Sequence, residues 1–290
     1  MVITPPDIAG GFRGPLNGYD HMKLLFLNMG RNSNADLAFT CMQEHKVGIA
    51  AFAEHSASVF ADVSLRRIGY RVAGMGGCDK IRLLISDTLE IVDCFEDSRF
   101  IVSVINSQSV RFIIAATHLP DRRSSPTAAL RLKEIRSLMD VVHGYEGAYG
   151  IDRTVIIGDF NSNPYDVELL QPDGFNAMLF KGILEFRASR TWGGDSFPFM
   201  YNPTIHWLSE DMRNYGSFYY SSGDACPMWN CFDQALVSPS LMNGVRGYSY
   251  LKTIAETNLI ASVGPKRTIS DHLPLLVDID IRQENDGLHK

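Results

Sequence analysis

From Lys23 onward the hydrophobic and polar positions fall into blocks that read as many strands and a few helices. KLLFLNMG is a short apolar run closing at Asn28, and ADLAFTCMQEHK after it places Leu37, Cys41 and Met42 at helical spacing. VGIAAFAEH reads as a second buried strand ending at Glu54. IGYRVAG, IRLLIS, LEIVDCF, RFIVSVINS and VRFIIAATHL are rich in Val, Ile and Phe, which predicts consecutive strands, mostly joined by short turns, the last ending at His118. TAALRLKEIRSLMDVVHG predicts the clearest helix, with Leu130, Ile135, Leu138 and Val142 on one face and Gly144 as its stop. TVIIGDF is a strand ending at Asp159. CFDQALVSPS and SDHLPLLVDIDI close the chain, the second entered through Ser270, Asp271 and His272. Residues 165–230 are less regular and hold much of the aromatic content. This pattern predicts an α/β fold with two sheets packed face to face and helices outside.

Composition bounds the picture without redirecting it. A chain of 290 residues, 45% hydrophobic and 21% charged, is globular and long enough to bury a large core. No Pro/Ser linker, charge block or repeat divides it, so residues 23–290 are expected to form one domain. The first 22 residues, MVITPPDIAGGFRGPLNGYDHM, are Gly- and Pro-rich and read as a flexible leader or tag remnant, with His21-Met22 as a cloning scar. The formal net charge of -6 argues against a tight, nonspecific DNA binder; it leaves open an enzyme that turns over phosphate esters. The five cysteines, Cys41, Cys78, Cys94, Cys226 and Cys231, are odd in number and lack CxxC spacing, which fits neither a disulfide framework nor a zinc site and predicts a reducing, cytoplasmic setting. No run approaches 18 apolar residues, so no membrane partner is expected. Oligomeric state leaves no signal in the sequence.

The chemistry sits at strand ends. Asn28, Glu54, His118, Asp159 with Asn161, Asp233, and Asp271 with His272 all lie at or beside the edges of apolar runs. Taken singly, an Asn or Asp there is an ordinary turn residue. Taken together, they can converge at one end of a sheet sandwich.

In their order along the chain, FLNMG, AFAEH, ATHL, GDFNSNP, FDQALVS and SDHLPL resemble the endonuclease/exonuclease/phosphatase (deoxyribonuclease-I-like) superfamily. The resemblance runs from about residue 23 to 282, and GDFNSNP followed by SDHLP is its most specific part. It implies a single-domain four-layer α/β sandwich, two packed mixed β-sheets flanked by helices. It also implies a Mg²⁺-dependent hydrolase, with Mn²⁺ as a substitute, acting on phosphodiester bonds of nucleic acid, DNA or RNA. A phosphatase or lipid-type phosphodiesterase on the same scaffold and a catalytically inactive binding module stay open as alternatives. The resemblance assigns Glu54, Asn28 and Asp271 to the metal, hard oxygen donors of the kind Mg²⁺ accepts. It assigns His272 to acid/base work with Asp233 holding its imidazole, Asp159 to the attacking water, Asn161 to the phosphoryl oxygens and His118 to a phosphate contact. Which of Asp159 and His272 is the base stays open. Gln43-Glu44 imitates the family's metal-site pair, but it falls in a helical pattern, so Glu44 reads as a solvated helix residue.

Between 185 and 230, Trp192, Tyr201 and Trp229 interleave with Arg187, Arg190 and Arg213, an arrangement that either stacks bases or packs a long loop. Arg122-Arg123 after His118 is either a further phosphate contact or a solvated turn. Arg131 reads as structural or as a rim salt bridge.

Overall fold

A computed structural model describes residues 21–30, 34–56, 60, 62–108, 110–122, 128–210, 216–222 and 228–282. In chain order the first half runs β1 (His21–Asn28), α1 (Ala35–His45), β2 (Ile49–Ala53), α2 (Asp62–Arg67), β3 (Tyr70–Val72), β4 (Ile81–Ser86), β5 (Glu90–Glu96), β6 (Phe100–Asn106), β7 (Arg111–His118) and α3 (Ala128–Tyr149). The second half continues with β8 (Thr154–Asp159), α4 (Val167–Leu170), β9 (Ala177–Met178), α5 (Lys181–Leu184), β10 (Ser189–Trp192), β11 (Asp195–Pro198), β12 (Met200–Tyr201) and α6 (Thr204–Glu210). It closes with β13 (Phe218–Tyr220), β14 (Met228–Asn230), β15 (Asp233–Val237), β16 (Val245–Tyr250), β17 (Thr253–Ile254), β18 (Thr257–Asn258) and β19 (Leu275–Asp280).

Two mixed sheets carry the architecture, one ordered β16-β19-β1-β2-β4-β3 and the other β5-β6-β7-β8-β15-β12-β9. The parallel pairs β1/β2 and β7/β8 are each joined through a helix, as a parallel neighbour requires. Along β7 and β8 the pleat divides two cores. Ile114, Ala116, Val155 and Ile157 face the other sheet, together with Ala235 and Val237 of β15. Ile113, Ala115 and Ile156 face α3, where they meet Ile135, Leu138 and Val142. Strands buried on both faces need apolar residues at every position, which is why they read as unbroken apolar runs rather than as alternation.

Two boundaries and one helix face differ from the sequence pattern. His21 and Met22, assigned there to the leader, belong to β1 and pair with Asp280 and Ile279; Met22 is buried. Gly144 does not stop α3, because it and Gly147 face open space, where a glycine weakens a helix without ending it; the helix ends before Gly150, at φ +62°. The buried stripe of α3 is Arg131, Ile135, Leu138, Met139 and Val142, whereas Leu130 is exposed. A five-residue step from 130 to 135 leaves the helix face; the four-residue step from Arg131 stays on it. Arg131 is accordingly not a rim residue: its Nε donates to Glu168 Oε1 at 2.7 Å, and both side chains are buried. No helix among the described residues is long and apolar enough to cross a membrane.

Candidate active site

Register alone gathers the site. His118 pairs with Asp159 across β7/β8, and Asp159 pairs with Asp233 across β8/β15. Each continues the face that packs on the opposite sheet, so one histidine and two aspartates stand abreast where the apolar core ends. From that opposite sheet Asn28, the last residue of β1, reaches across, its Nδ2 donating to Asp159 Oδ2 at 3.0 Å and lying 3.4 Å from Glu54 Oε1. Asn28 is the β1 partner of Ala53, so Glu54 follows directly at the end of β2, turned by a left-handed φ of 48°.

The loop entering β19 completes the ring. Its Ser270 hydroxyl donates to Asn28 O at 2.6 Å and accepts from His272 N at 3.0 Å, fixing the loop to β1. His272 Nδ1 meets Asp233 Oδ2 at 2.7 Å, which leaves Nε2 facing Asp159 Oδ2 at 3.8 Å. His118 Nε2 lies 3.8 Å from Glu54 Oε1 and 3.7 Å from Asp159 Oδ2, while its buried Nδ1 has no partner among the described residues. The Asn161 N–H donates to Asp159 Oδ1, and its Nδ2 to Leu119 O at 3.0 Å, at a φ of 49° that asparagine tolerates. Asp271 sits beside the turn after β1, where a Cβ on Gly30 would come within 3.1 Å of its Oδ1.

Electrostatics follow from this crowding. Burial alone would push the His272 imidazole down, but Asp233, Asp159 and Asp271 outweigh it and hold the group up at about 10. Burial raises Asp233 above the usual carboxylate range, against the pull of His272. Four carboxylates, Glu54, Asp159, Asp233 and Asp271, face two imidazoles, so the rim is anionic unless a cation joins it. Asp159, Asp233 and His272 bring ligand atoms within 4.8 Å of one another, and Asp233 Oδ1 is a buried acceptor with no partner among the described residues. Hard oxygen donors in excess of positive charge fit a divalent ion.

The substrate-binding candidates scatter. Tyr201 is 1% exposed and packs in the core between the sheets, so it cannot stack a base; its strand, β12, is an inner strand of its sheet. Trp192 is exposed on the β10/β11 hairpin and tilts on Phe197. Trp229 is half-buried on β14, edge-on to Tyr219. Arg122 donates from Nε to Asn161 O at 3.1 Å, pairs with Asp166 and lies 5.7 Å over the Phe232 ring, thereby clamping the turn after β8. Arg123 and Arg213 lie outside the described residues. Glu44 is exposed on α1, where it accepts from Ala255 N.

Three supporting residues escape sequence reasoning. Phe218 stacks on Phe232 and sets its ring 4.8 Å from that of His272. The Ser217 hydroxyl accepts from Asp233 N at 3.1 Å. Arg99 O accepts from His118 N at 3.0 Å. No motif marks any of them, whereas Ser270 could have been found from its place in SDH.

Two packed mixed sheets define the class: the chain has a deoxyribonuclease-I-like α/β-sandwich fold, shared with solved structures that include endonuclease/exonuclease/phosphatase proteins. Among solved structures it is similar to the human Nocturnin catalytic domain with bound sulfate anion, at TM-score 0.61 and 14% identity over 91% of this chain and 95% of that one. It is similar to D. rerio TDP2 complexed with single strand DNA product, at TM-score 0.57 and 10% identity over 89% of this chain and 98% of that one. A Bacteroides vulgatus endonuclease/exonuclease/phosphatase matches at TM-score 0.58 and 14% identity over 90% and 99%. At these identities the likeness is one of fold. No protein-family model matches the sequence, and no curated protein does.

Proposed function

We propose that the protein is a divalent-metal-dependent phosphodiesterase that hydrolyses phosphodiester bonds of nucleic acid. The observation that carries this reading is the His272–Asp233 pair aimed at Asp159 across 3.8 Å, on a rim lined by further carboxylates. Phosphodiesters resist water because their oxygens carry charge, so a hydrolase must offset that charge, orient a water and protonate the leaving oxygen. Asp233 fixes the ring of His272, which exchanges a proton at Nε2. Asp159 and His272 are spaced so that one water hydrogen-bonds to both. Asn161 spends one amide hydrogen on Leu119 O and keeps the other for a phosphoryl oxygen. His118, with Nε2 between Glu54 and Asp159, is a second donor toward phosphate. Glu54 and Asp271 would hold Mg²⁺, or Mn²⁺ in its place, with Asn28 joining them through Oδ1 once its amide turns from Gly30 N and Asp159, and the ion when bound offsets phosphate charge.

A structural neighbour that binds a single-stranded DNA product supports nucleic acid as the substrate class. Cys41, Cys78, Cys94 and Cys231 are free thiols, in keeping with a reducing, cytoplasmic setting. End-labelled single- and double-stranded DNA and RNA, each with Mg²⁺ or with EDTA, test the proposal. Cleavage in Mg²⁺ that disappears in EDTA and in Asp159→Ala is expected. Release of inorganic phosphate from small phosphate esters with every polynucleotide left intact would overturn it.

A further inference from the structure

The turn between β3 and β4 reads AGMGGCDK, with three glycines in four positions. Gly74 at φ +84° and Gly76 at φ +94° adopt a conformation that side chains rarely allow. The result is a concavity lined by three successive peptide N–H groups, those of Met75, Gly76 and Gly77. All three donate to the carboxylate of Glu96, at 2.7, 3.2 and 3.1 Å. Consecutive backbone N–H groups arranged in this way make an anion-binding nest. Glu96 fills it closely, since a Cβ on Gly74 would run into its carboxylate.

The nest belongs to the same end of the sandwich as the active site. β4 begins at Ile81, whose strand partner Ala53 precedes Glu54. Arg99, three residues after Glu96, accepts from His118 N and donates from Nη1 to His118 O at 3.3 Å. Met75, Gly76 and Gly77 are exposed, Met75 fully. A carboxylate and a phosphodiester group each offer two oxygens and one negative charge, so one can replace the other on the same three donors. Because the contact is exposed, the leaving carboxylate regains water.

We propose that the Met75–Gly77 nest is a phosphate-binding subsite for the nucleic-acid strand at the catalytic end of the sandwich, and that Glu96 is an internal anion occupying it until a substrate phosphate takes its place. This rests on the nucleic-acid reading of the active site. Glu96 touches none of the catalytic residues, so its removal changes binding and leaves the chemical step alone.

The test compares wild type, Glu96→Ala and Glu96→Gln in two assays. In steady-state cleavage of a single-stranded oligonucleotide, Glu96→Ala is expected to lower KM roughly three- to tenfold with kcat unchanged, and Glu96→Gln, which keeps an acceptor but not the charge, to lower it less. In the second assay inorganic phosphate is titrated while the backbone amide resonances of Met75, Gly76 and Gly77 are followed, and these should shift at lower phosphate concentration in Glu96→Ala than in wild type. An unchanged or higher KM, or amides that respond to phosphate no earlier in Glu96→Ala than in wild type, overturns the proposal and leaves Glu96 as a staple for the turn; should Glu96→Ala not fold, Glu96→Gln decides by the same readouts. If no form of the protein cuts nucleic acid, the functional reading has failed, and the phosphate titration, which needs no turnover, still decides the nest.

Discussion

Among the described residues Asp233 Oδ1 has no partner, while its Oδ2 meets His272 Nδ1, so the buried carboxylate and the imidazole share the proton between them. Asp233→Asn removes the charge that keeps the imidazole protonated and in one orientation, and kcat/KM should fall on the order of 10²- to 10⁴-fold. The same pair shapes the stability of the metal-free protein. With the folded imidazole held at about 10 against an ordinary 6.5, the folded state binds the extra proton between those values. Its contribution is therefore complete below 6.5 and is lost as pH rises toward 10. Melting temperature measured in EDTA should decline across that window, and the decline should flatten in Asp233→Asn. Glu54 and Glu44 separate the two acids that sequence patterns confuse. Glu54→Ala should abolish metal-dependent activity and Glu44→Ala should leave it intact; the reverse outcome places the metal elsewhere. The place of Glu54 at the end of a buried strand was legible because IAAFA before it is an unbroken apolar run. Phe218 and Ser217 were not, because they act on His272 and Asp233 through chain reversals that no local pattern encodes.

Among the elements, β8 delivers the site, and Gly158 lets it do so. A Cβ there would run into the carbonyl oxygen of Thr117, so β7 and β8 approach as closely as they do only around glycine. Gly158→Ala should destabilise the fold by about 1–3 kcal/mol and reduce activity further by shifting Asp159 from its neighbours, both measurable by denaturant unfolding and turnover. Behind the turn that follows, Glu168 accepts from the Ser162 hydroxyl at 2.6 Å and from Arg131. Arg131→Met strands that carboxylate in the interior and should cost about 3–5 kcal/mol, with Arg131→Met/Glu168→Gln recovering part of the loss. Strand identities were readable from apolar runs because both large sheets are covered. The true face of α3 was not, because a buried arginine looks like a surface residue until its partner, 37 positions away, is known. The short strands between 177 and 230 were invisible for a related reason: stretches of two to four residues carry no period.

At the scale of the whole molecule, the fold brings acids from both sheets to one rim of a protein whose net charge is already -6. Such a rim repels a polyanion unless cations intervene, so cleavage should depend on a bound metal ion. The most direct measurement is cleavage of one end-labelled oligonucleotide by wild type, Asp159→Ala and Glu54→Ala in Mg²⁺, in EDTA, and after Mg²⁺ is restored. The wild type should cut in Mg²⁺ alone, lose cutting in EDTA and regain it with the ion, and neither variant should cut. Cutting that persists in EDTA, or that survives in Asp159→Ala, would contradict the proposed metal-dependent site.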